Sequence, residues 1–400
     1  MGKKVVLAYS GGLDTTFCAL HLSKVKEYEV HALLINTGGF SEQEVQLIEA
    51  RAQKLGIASF EAHNLEASFY ERIIKYLIFG NILKNQTYPL SVSAERIVQA
   101  EAIAKYAKSK NADAIAHGST GAGNDQVRFD MIFQTYLPSI EIITPIRDLK
   151  LSREQEIAFL KENHVEMDFD KAQYSINKGL WGTSVGGKET LTSHEYLPEK
   201  AFPSQVEKTE TAELSLTFKK GELTEVNEQI YKSTVEAIKK VEQLASPYGI
   251  GRDIHVGDTI IGIKGRVGFE AAAALIIIKA HQLLEKHTLT KWQAYLKNQM
   301  AEFYGTHLHE GQYLDPAMRD LEAMMNSSQK NVSGKVRIAL APYRFTLLGV
   351  ASPHDLMNAS FGSYGEMNNS WTAEDVKGFT KIAANQSTIF HQVNKTFEHD

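Results

Sequence analysis

Cysteine is nearly absent from this chain: its 400 residues hold one, Cys18, which excludes an internal disulfide and leaves that residue to pack as a small apolar group on a helix. A surplus of positive charge is missing too. Lys and Arg number 43 against 48 Asp and Glu, a net charge of −5 with a sequence pI near 6.3, so no nucleic-acid partner is expected. Long apolar runs are also lacking. The longest, Ala271 to Ile278, falls far short of the ~20 residues a membrane span needs, and no signal-like charged and apolar segment opens the chain. No membrane partner and a cytoplasmic location are the expectations. Internal repeats and low-complexity tracts are absent. What remains is 43% hydrophobic and 23% charged, a composition able to bury a large core, as in a soluble metabolic enzyme.

The most informative stretch is KVVLAYSGGLDT, residues 4 to 15. Val5, Val6, Leu7 and Ala8 read as a buried central strand, and Leu13, Phe17 and Leu20 recur at helical spacing after the turn. Between them stand Tyr9, Ser10, Gly11 and Gly12. Glycine removes the Cβ that keeps an anion off the backbone, and the unpaired N–H groups of a first helical turn attract negative charge. Ser10, Thr15 and Thr16 add hydroxyls. Asp14, on an exposed turn, would be repelled by polyphosphate unless a cation lay between, so Mg²⁺ is implied with Asp14 as its ligand. No lysine follows the glycines, so this is not the usual P-loop.

A second block, HGSTGAGNDQVRF, spans residues 117 to 129. It follows a short apolar strand, Ala112 to Ala116, and precedes a helix with Val127, Ile132 and Phe133. Gly118, Gly121 and Gly123 keep the backbone bare, while Thr120, Asn124, Asp125, Gln126 and Arg128 crowd polar groups together. That density suits a small zwitterion.

SGGLDT resembles the pyrophosphate loop of the ATP pyrophosphatase superfamily, whose members split ATP between the α and β phosphates. With HGSTGAGNDQVRF beside it, the chain resembles the argininosuccinate synthetase family. Looser matches are Tyr88, Ser93 and Arg96 in a Y-x-x-x-x-S-x-x-R segment, YSINKGLWGTS from Tyr174 to Ser184, and GIGRDIHVGDTIIGIKGR from Gly249 to Arg266. The resemblance implies an ATP-dependent ligase joining citrulline to aspartate, with AMP and pyrophosphate released and no covalent nucleophile. It implies that Ala8, Tyr9, Ser10, Gly11, Gly12, Leu13, Asp14, Thr15 and Thr16 hold ATP, joined by Ile35, His117 and Gly118. Thr120, Asn124 and Asp125 would take aspartate; Tyr88, Ser93, Asn124, Arg128, Ser175 and Ser184 would take citrulline. Asp14, Asp125 and Arg128 are the catalytic candidates, and the bidentate fork of Arg128 suits a carboxylate. The family also implies a homotetramer with exchanged C-terminal elements.

Three positions depart from the family pattern. Ala122 stands where lysine is common, and Gly257 and Phe269 stand where the pattern has a glutamate and a tyrosine for citrulline. Asp258 is the candidate substitute. Three readings stay open: a ligase for citrulline, the same chemistry on an N-acylated citrulline or other ureido compound, and a nucleotide-binding sensor without turnover.

The fold class expected is α/β: a doubly wound parallel sheet forming a nucleotide-binding domain (1–167), a larger α+β synthetase domain (168–371) and a C-terminal helical segment (372–400). Strands at Val30 to Ile35, Ala58 to Ala62, Ala112 to Ala116 and Ile140 to Thr144 alternate with helices near Glu66 to Phe79 and Ser93 to Lys108. Ser41 with Glu44, and Ser152 with Gln155, read as capping boxes. Beyond residue 168 the pattern predicts loops over 174–193, hairpin strands about Lys220-Gly221, helices near 227–245, 267–287 and 291–303, and a strand pair within 335–351. A closing amphipathic segment carries Val376, Phe379, Ile382, Ile389, Phe390 and Val393.

Overall fold

The computed structural model describes residues 2–121, 123–167, 174–358, 365, 366 and 370–395. The expected parallel sheet is present. Strands β1 (Lys4–Ala8), β2 (Glu29–Asn36), β3 (Ser59–Asn64), β4 (Ala114–Ala116) and β5 (Glu141–Ile143) lie in the order β3-β2-β1-β4-β5, with every neighbouring pair parallel. The central runs of β1, β2 and β4 are apolar on both faces because helices cover both, whereas the edge strand β3 is polar. Val5 and Leu7 pack to one side with Leu34, whereas Val6 packs to the other with Leu33 and Ile115.

The strand order reverses between β1 and β4. Their register sets Val5 opposite Ala114 and Leu7 opposite Ala116, so the chain leaves both strands at one level. The two glycine-rich blocks therefore open side by side in the crevice where doubly wound sheets bind ligands. Both predicted capping boxes form, at Ser41 and Ser152. The helix Ser91–Ser109 runs mostly buried behind the crevice.

The remainder of the chain is more strand-rich than its pattern predicts. The 174–193 segment, expected as loop, contains a hairpin of β6 (Ser175–Gly179) and β7 (Gly182–Gly186). Further on come β8 (Ala212–Lys219), β9 (Glu222–Val226), β10 (Gln229–Ile230), β11 (Arg252–Asp258), β12 (Lys264–Glu270), β13 (Gly334–Ala341) and β14 (Arg344–Ala351). They build two antiparallel sheets, β10-β9-β8-β13-β14 and β11-β12-β7-β6. The helix expected from 227 begins at Thr234, and that expected from 267 begins at Ala272, because β10 and β12 claim the preceding residues. Glycines 257, 265 and 268 mask the period-2 signal of β11 and β12, so the pattern does not announce those strands. The helix expected over 291–303 continues to His309, and Ala317–Ser328 adds a helix with no expected counterpart.

Residues Met1–His354 form one compact unit. The boundary expected at 167/168 adjoins residues 168–173, which lie outside the described residues. One apolar core runs from Val6 and Leu33 through Ile97 and Trp181 to Ile276 and Leu340, so the parallel sheet and the later helices share an interior. Asp355–Asp400 form a second compact unit. The closing segment is two helices, Ala373–Ala383 and Asn385–Asn394. No helix among the described residues is long and apolar enough to cross a membrane.

Candidate active site

The crevice holds a cleft of about 1080 Å³. Its floor begins where β1 ends. Gly11 adopts φ +72°, and a Cβ there would lie 2.8 Å from Ile48, so only glycine makes this turn without strain. Arg51 Nη1 braces it by donating to the Gly11 carbonyl at 2.9 Å. Within the loop, Ser10 N–H and Oγ reach Thr15 Oγ1 at 3.3 and 3.2 Å, and Gly12 N–H reaches Ser10 Oγ at 3.4 Å. Such long contacts leave donors that a phosphate oxygen can take over. The helix Leu13–Leu20 that follows has no side-chain cap, leaving its first N–H groups open to an anion.

Ala8, Tyr9, Ser10, Gly11, Gly12, Leu13, Asp14, Thr15 and Ile35 all line the cleft; Thr16 does not. Thr16 is fully buried, since the helix turns its side chain inward beneath the loop. Asp14 is half-buried rather than exposed. Near it stands Glu156, from the helix Arg153–Glu162, buried and with Oε2 lacking a hydrogen-bond partner. Burial and the neighbouring Asp14 push the Glu156 carboxyl up to about 8.

The second loop leaves β4 through His117. Ser119 N–H donates to His117 Nδ1 at 3.2 Å, which fixes the ring proton on Nε2, 2.9 Å from Asp130. Gly118 lies against the first loop: a Cβ on it would stand 3.2 Å from the Asp14 backbone. Thr120 is exposed at the rim, and Asn124 spends its Oδ1 on the Ile260 N–H at 2.8 Å. Ala122 lies outside the described residues.

Asp125 sits between two guanidinium groups, with Arg96 Nε at 2.8 Å and Arg128 Nη1 at 2.9 Å. Burial alone would raise its carboxyl, but the two arginines hold it below the usual carboxylate range. Arg128 departs from expectation. Its fork is largely committed inside the protein, with Nε donating to the His309 carbonyl at 2.8 Å and Nη2 meeting His309 Nδ1 at 3.2 Å. Three of its five donors are engaged, and two remain for a ligand.

At the far end, Ser93 Oγ lies 3.0 Å from His309 Nδ1. Tyr88 is buried, its hydroxyl accepting from Val92 N–H at 3.1 Å, so it caps a helix whose own N-cap has no side-chain bond. Its ring packs against His255 and Phe269, at 5.0 and 5.3 Å between centroids. Phe269 is fully buried and pairs in register with Ser184. Ser184 and Ser175 line the cleft from the β6–β7 hairpin. Gly257 and Asp258 also border it, but Asp258 points to solvent and pairs with Lys264 at 2.6 Å. Substituting for the missing glutamate is thus not its arrangement here.

Sequence reasoning passed over several lining residues: Glu95, Gln99, Arg153, Lys178, His255 and His309. Glu95 did leave a signal, a charge on a helix face otherwise made of Ala94, Ile97 and Val98. His309 left none, because only the tertiary fold brings it to Ser93. Among the described residues, no cluster of three or more His, Cys, Asp or Glu could hold a metal.

Residues 4–166 match the family model of the arginosuccinate synthase N-terminal HUP domain, and residues 174–390 that of the arginosuccinate synthase C-terminal domain. The chain is 34% identical over 391 residues to an argininosuccinate synthase of Dictyoglomus thermophilum, covering 97% of both chains. It is 35% identical over 401 residues to that of Xanthomonas campestris, covering 98% of this chain and 99% of the relative. With the Methanocaldococcus jannaschii protein of the same name it shares 32% over 401 residues, 99% of this chain and all of the other.

Proposed function

This chain belongs to the argininosuccinate synthase family, whose members condense citrulline and aspartate with ATP in arginine biosynthesis, and from that premise we propose how its own residues divide the work. The chain is an ATP-dependent ligase of that reaction; the N-acyl and sensor readings are not favoured.

ATP lies with its phosphates over Ser10–Thr15 and its adenosine toward Ile35, and His117 and Gly118 close on it. Aspartate takes Thr120, Asn124 and Asp125. Citrulline takes Ser93, Arg128, Ser175 and Ser184, with Tyr88 shaping the wall. The ureido oxygen of citrulline attacks the α-phosphorus, an O–P bond forms, and the bond to pyrophosphate breaks. The aspartate ammonium gives up one proton to become a free amine, which forms a C–N bond at the ureido carbon and sheds a second proton while keeping one, and the C–O bond to AMP breaks as AMP departs. No side chain becomes covalently attached, so catalysis rests on alignment and on charge stabilisation around the phosphorus. The observation that carries this reading is the cleft itself, lined by both glycine-rich loops with Asp125 between two arginines.

The donor chemistry beside the first loop fits Mg²⁺: the Asp14 carboxylate lines the cleft next to Ser10, Gly12 and Thr15, where the phosphates are placed. When bound, the ion would neutralise charge on the departing pyrophosphate. We further propose a homotetramer, with the apolar residues of 373–394 covered by other subunits, and a cytoplasmic location, where a single free, buried cysteine is at home. Multiple-turnover pyrophosphate release that requires ATP, aspartate and citrulline together tests the reaction; release without citrulline, or none, overturns it.

A further inference from the structure

Glu95 is 2% exposed on the helix Ser91–Ser109, yet it lines the cleft, and its Oε1 has no hydrogen-bond partner. Among the described residues its one ion pair is with Arg96, at the long distance of 4.0 Å. Arg96 directs its donors elsewhere, to Asp125, Gln99 and Asn177. Facing Glu95 is Gly179 of β6, where an added Cβ would fall 1.3 Å from Oε1. The carboxyl therefore fills the space a side chain at 179 would occupy, on the hairpin that carries Ser175 and Ser184. Burial pushes the Glu95 carboxyl well above the usual range in spite of Arg96, with Asp125 adding to the rise. A buried acid without a bonded partner is an expensive feature unless something arrives to pair with it.

The same cleft is short of one acid. Gly257 offers no carboxylate, Asp258 is turned to solvent against Lys264, and Phe269 is packed on Tyr88. Burial raises the pKa of the Tyr88 phenol, and the Glu95 carboxyl, close enough to act on it, adds to the rise. We propose that Glu95 is the specificity-determining acid of the amino-acid site, receiving the α-ammonium of the ureido substrate and so replacing from the helix what Gly257 lacks on the sheet. This inference rests on the citrulline-ligase reading. As the ammonium enters, Glu95 releases its proton to solvent and a charge-assisted N–H···O bond forms at its carboxylate. An N-acylated citrulline has no ammonium to draw the proton off, so Glu95 would stay uncharged and gain no charge-assisted bond, and the free amino acid is selected.

Steady-state pyrophosphate release provides the test, with wild type assayed first. Absence of release with citrulline in wild type defeats the underlying reading rather than this one. Given an active wild type, Glu95→Gln should raise the KM for citrulline about ten- to hundredfold, the loss of one charge-assisted bond. The KM values for ATP and aspartate should hold, and the preference for citrulline over N-acetylcitrulline should shrink in step. Adding Gly257→Glu to Glu95→Gln should recover part of the citrulline KM. An unchanged citrulline KM, a rise for aspartate instead, or an equal rise for all three substrates overturns the proposal. Should Glu95→Gln fail to unfold cooperatively, Glu95→Asp keeps the charge and withdraws it by one methylene. A citrulline KM raised in that variant alone among the substrates supports the assignment, and an unmoved one defeats it.

Discussion

Arg128 grips His309 twice, through its carbonyl at 2.8 Å and through ring Nδ1 at 3.2 Å. The contact joins the helix after the second glycine block to the last turn of the helix Lys291–His309, so two distant stretches of chain meet at one guanidinium. Because Arg128 can only donate, His309 Nδ1 is an acceptor and the ring is neutral.

Replacing Arg128 with lysine keeps the charge and loses that double grip. The KM for citrulline should rise about tenfold or more while that for ATP changes little, and stability should fall by roughly 1–3 kcal/mol for the buried groups left unpaired. Substrate-by-substrate KM values and denaturant midpoints read both; equal effects on all three substrates would mark a purely structural arginine.

Acid should weaken the fold through His309. Burial and then Arg128 push its pKa down to about 3, below the ordinary value of about 6.5. Between those values the unfolded chain binds the proton and the folded one does not, so stability falls as pH drops below about 6.5. Urea midpoints at pH 7 and pH 5 should differ less in His309→Gln than in wild type. An identical pH slope in both proteins would contradict this.

Asp14→Asn should preserve the fold and nearly abolish pyrophosphate release, since it removes the proposed metal ligand. It should also raise the Mg²⁺ concentration needed for half-maximal binding of a non-hydrolysable ATP analogue, measured calorimetrically. The paired carboxyl offers a second reading. Glu156, raised to about 8, stays protonated when folded while its unfolded counterpart ionises, so unliganded stability should decline as pH climbs from about 4.5 to 8. Glu156→Gln should flatten that decline, and a decline of unaltered size would separate Glu156 from it.

Tyr88→Phe removes a helix cap rather than a packing surface. The Val92 N–H loses its acceptor, at a cost of about 1 kcal/mol in stability, while the ring contacts with Phe269 and His255 persist. Thermal unfolding checks the first part. A variant as stable as wild type would show the hydroxyl to be idle in the folded enzyme.

Phe379 and Ile389 are exposed on the two closing helices, at 71% and 58%. Under the tetramer proposal, Phe379→Asp with Ile389→Asp should shift the particle to a smaller mass by light scattering. An unchanged mass, or a wild type already monomeric, refutes the covering role.

Legibility in the sequence followed the range of the interactions involved. The β1 turn was readable because strand, glycines and helix are contiguous, and the capping boxes at Ser41 and Ser152 because their partners lie three residues away. Thr16 misled, since its position in the motif says nothing of which way the helix turns it. Arg128 reads in the sequence as a fork for a substrate carboxylate, but its buried partner His309 lies 181 residues on and no local pattern announces it. The β6–β7 and β11–β12 strands were hidden by glycines that serve close backbone packing rather than alternation.

The shared interior bears on how the molecule is made. The helix Lys75–Phe79 packs on Ala272–Thr288 and Ala317–Ser328, and Ser91–Ser109 packs on β6, β7 and Lys291–His309. During synthesis the nucleotide-binding sheet leaves the ribosome long before these coverings do, with Leu77, Phe79 and Ile97 still facing water. At ~5–20 residues per second, that interval lasts some tens of seconds. For that time the nascent chain is a client for chaperones, and a chain cut short before residue 272 would be removed by proteases rather than persist as a free ATP-binding module.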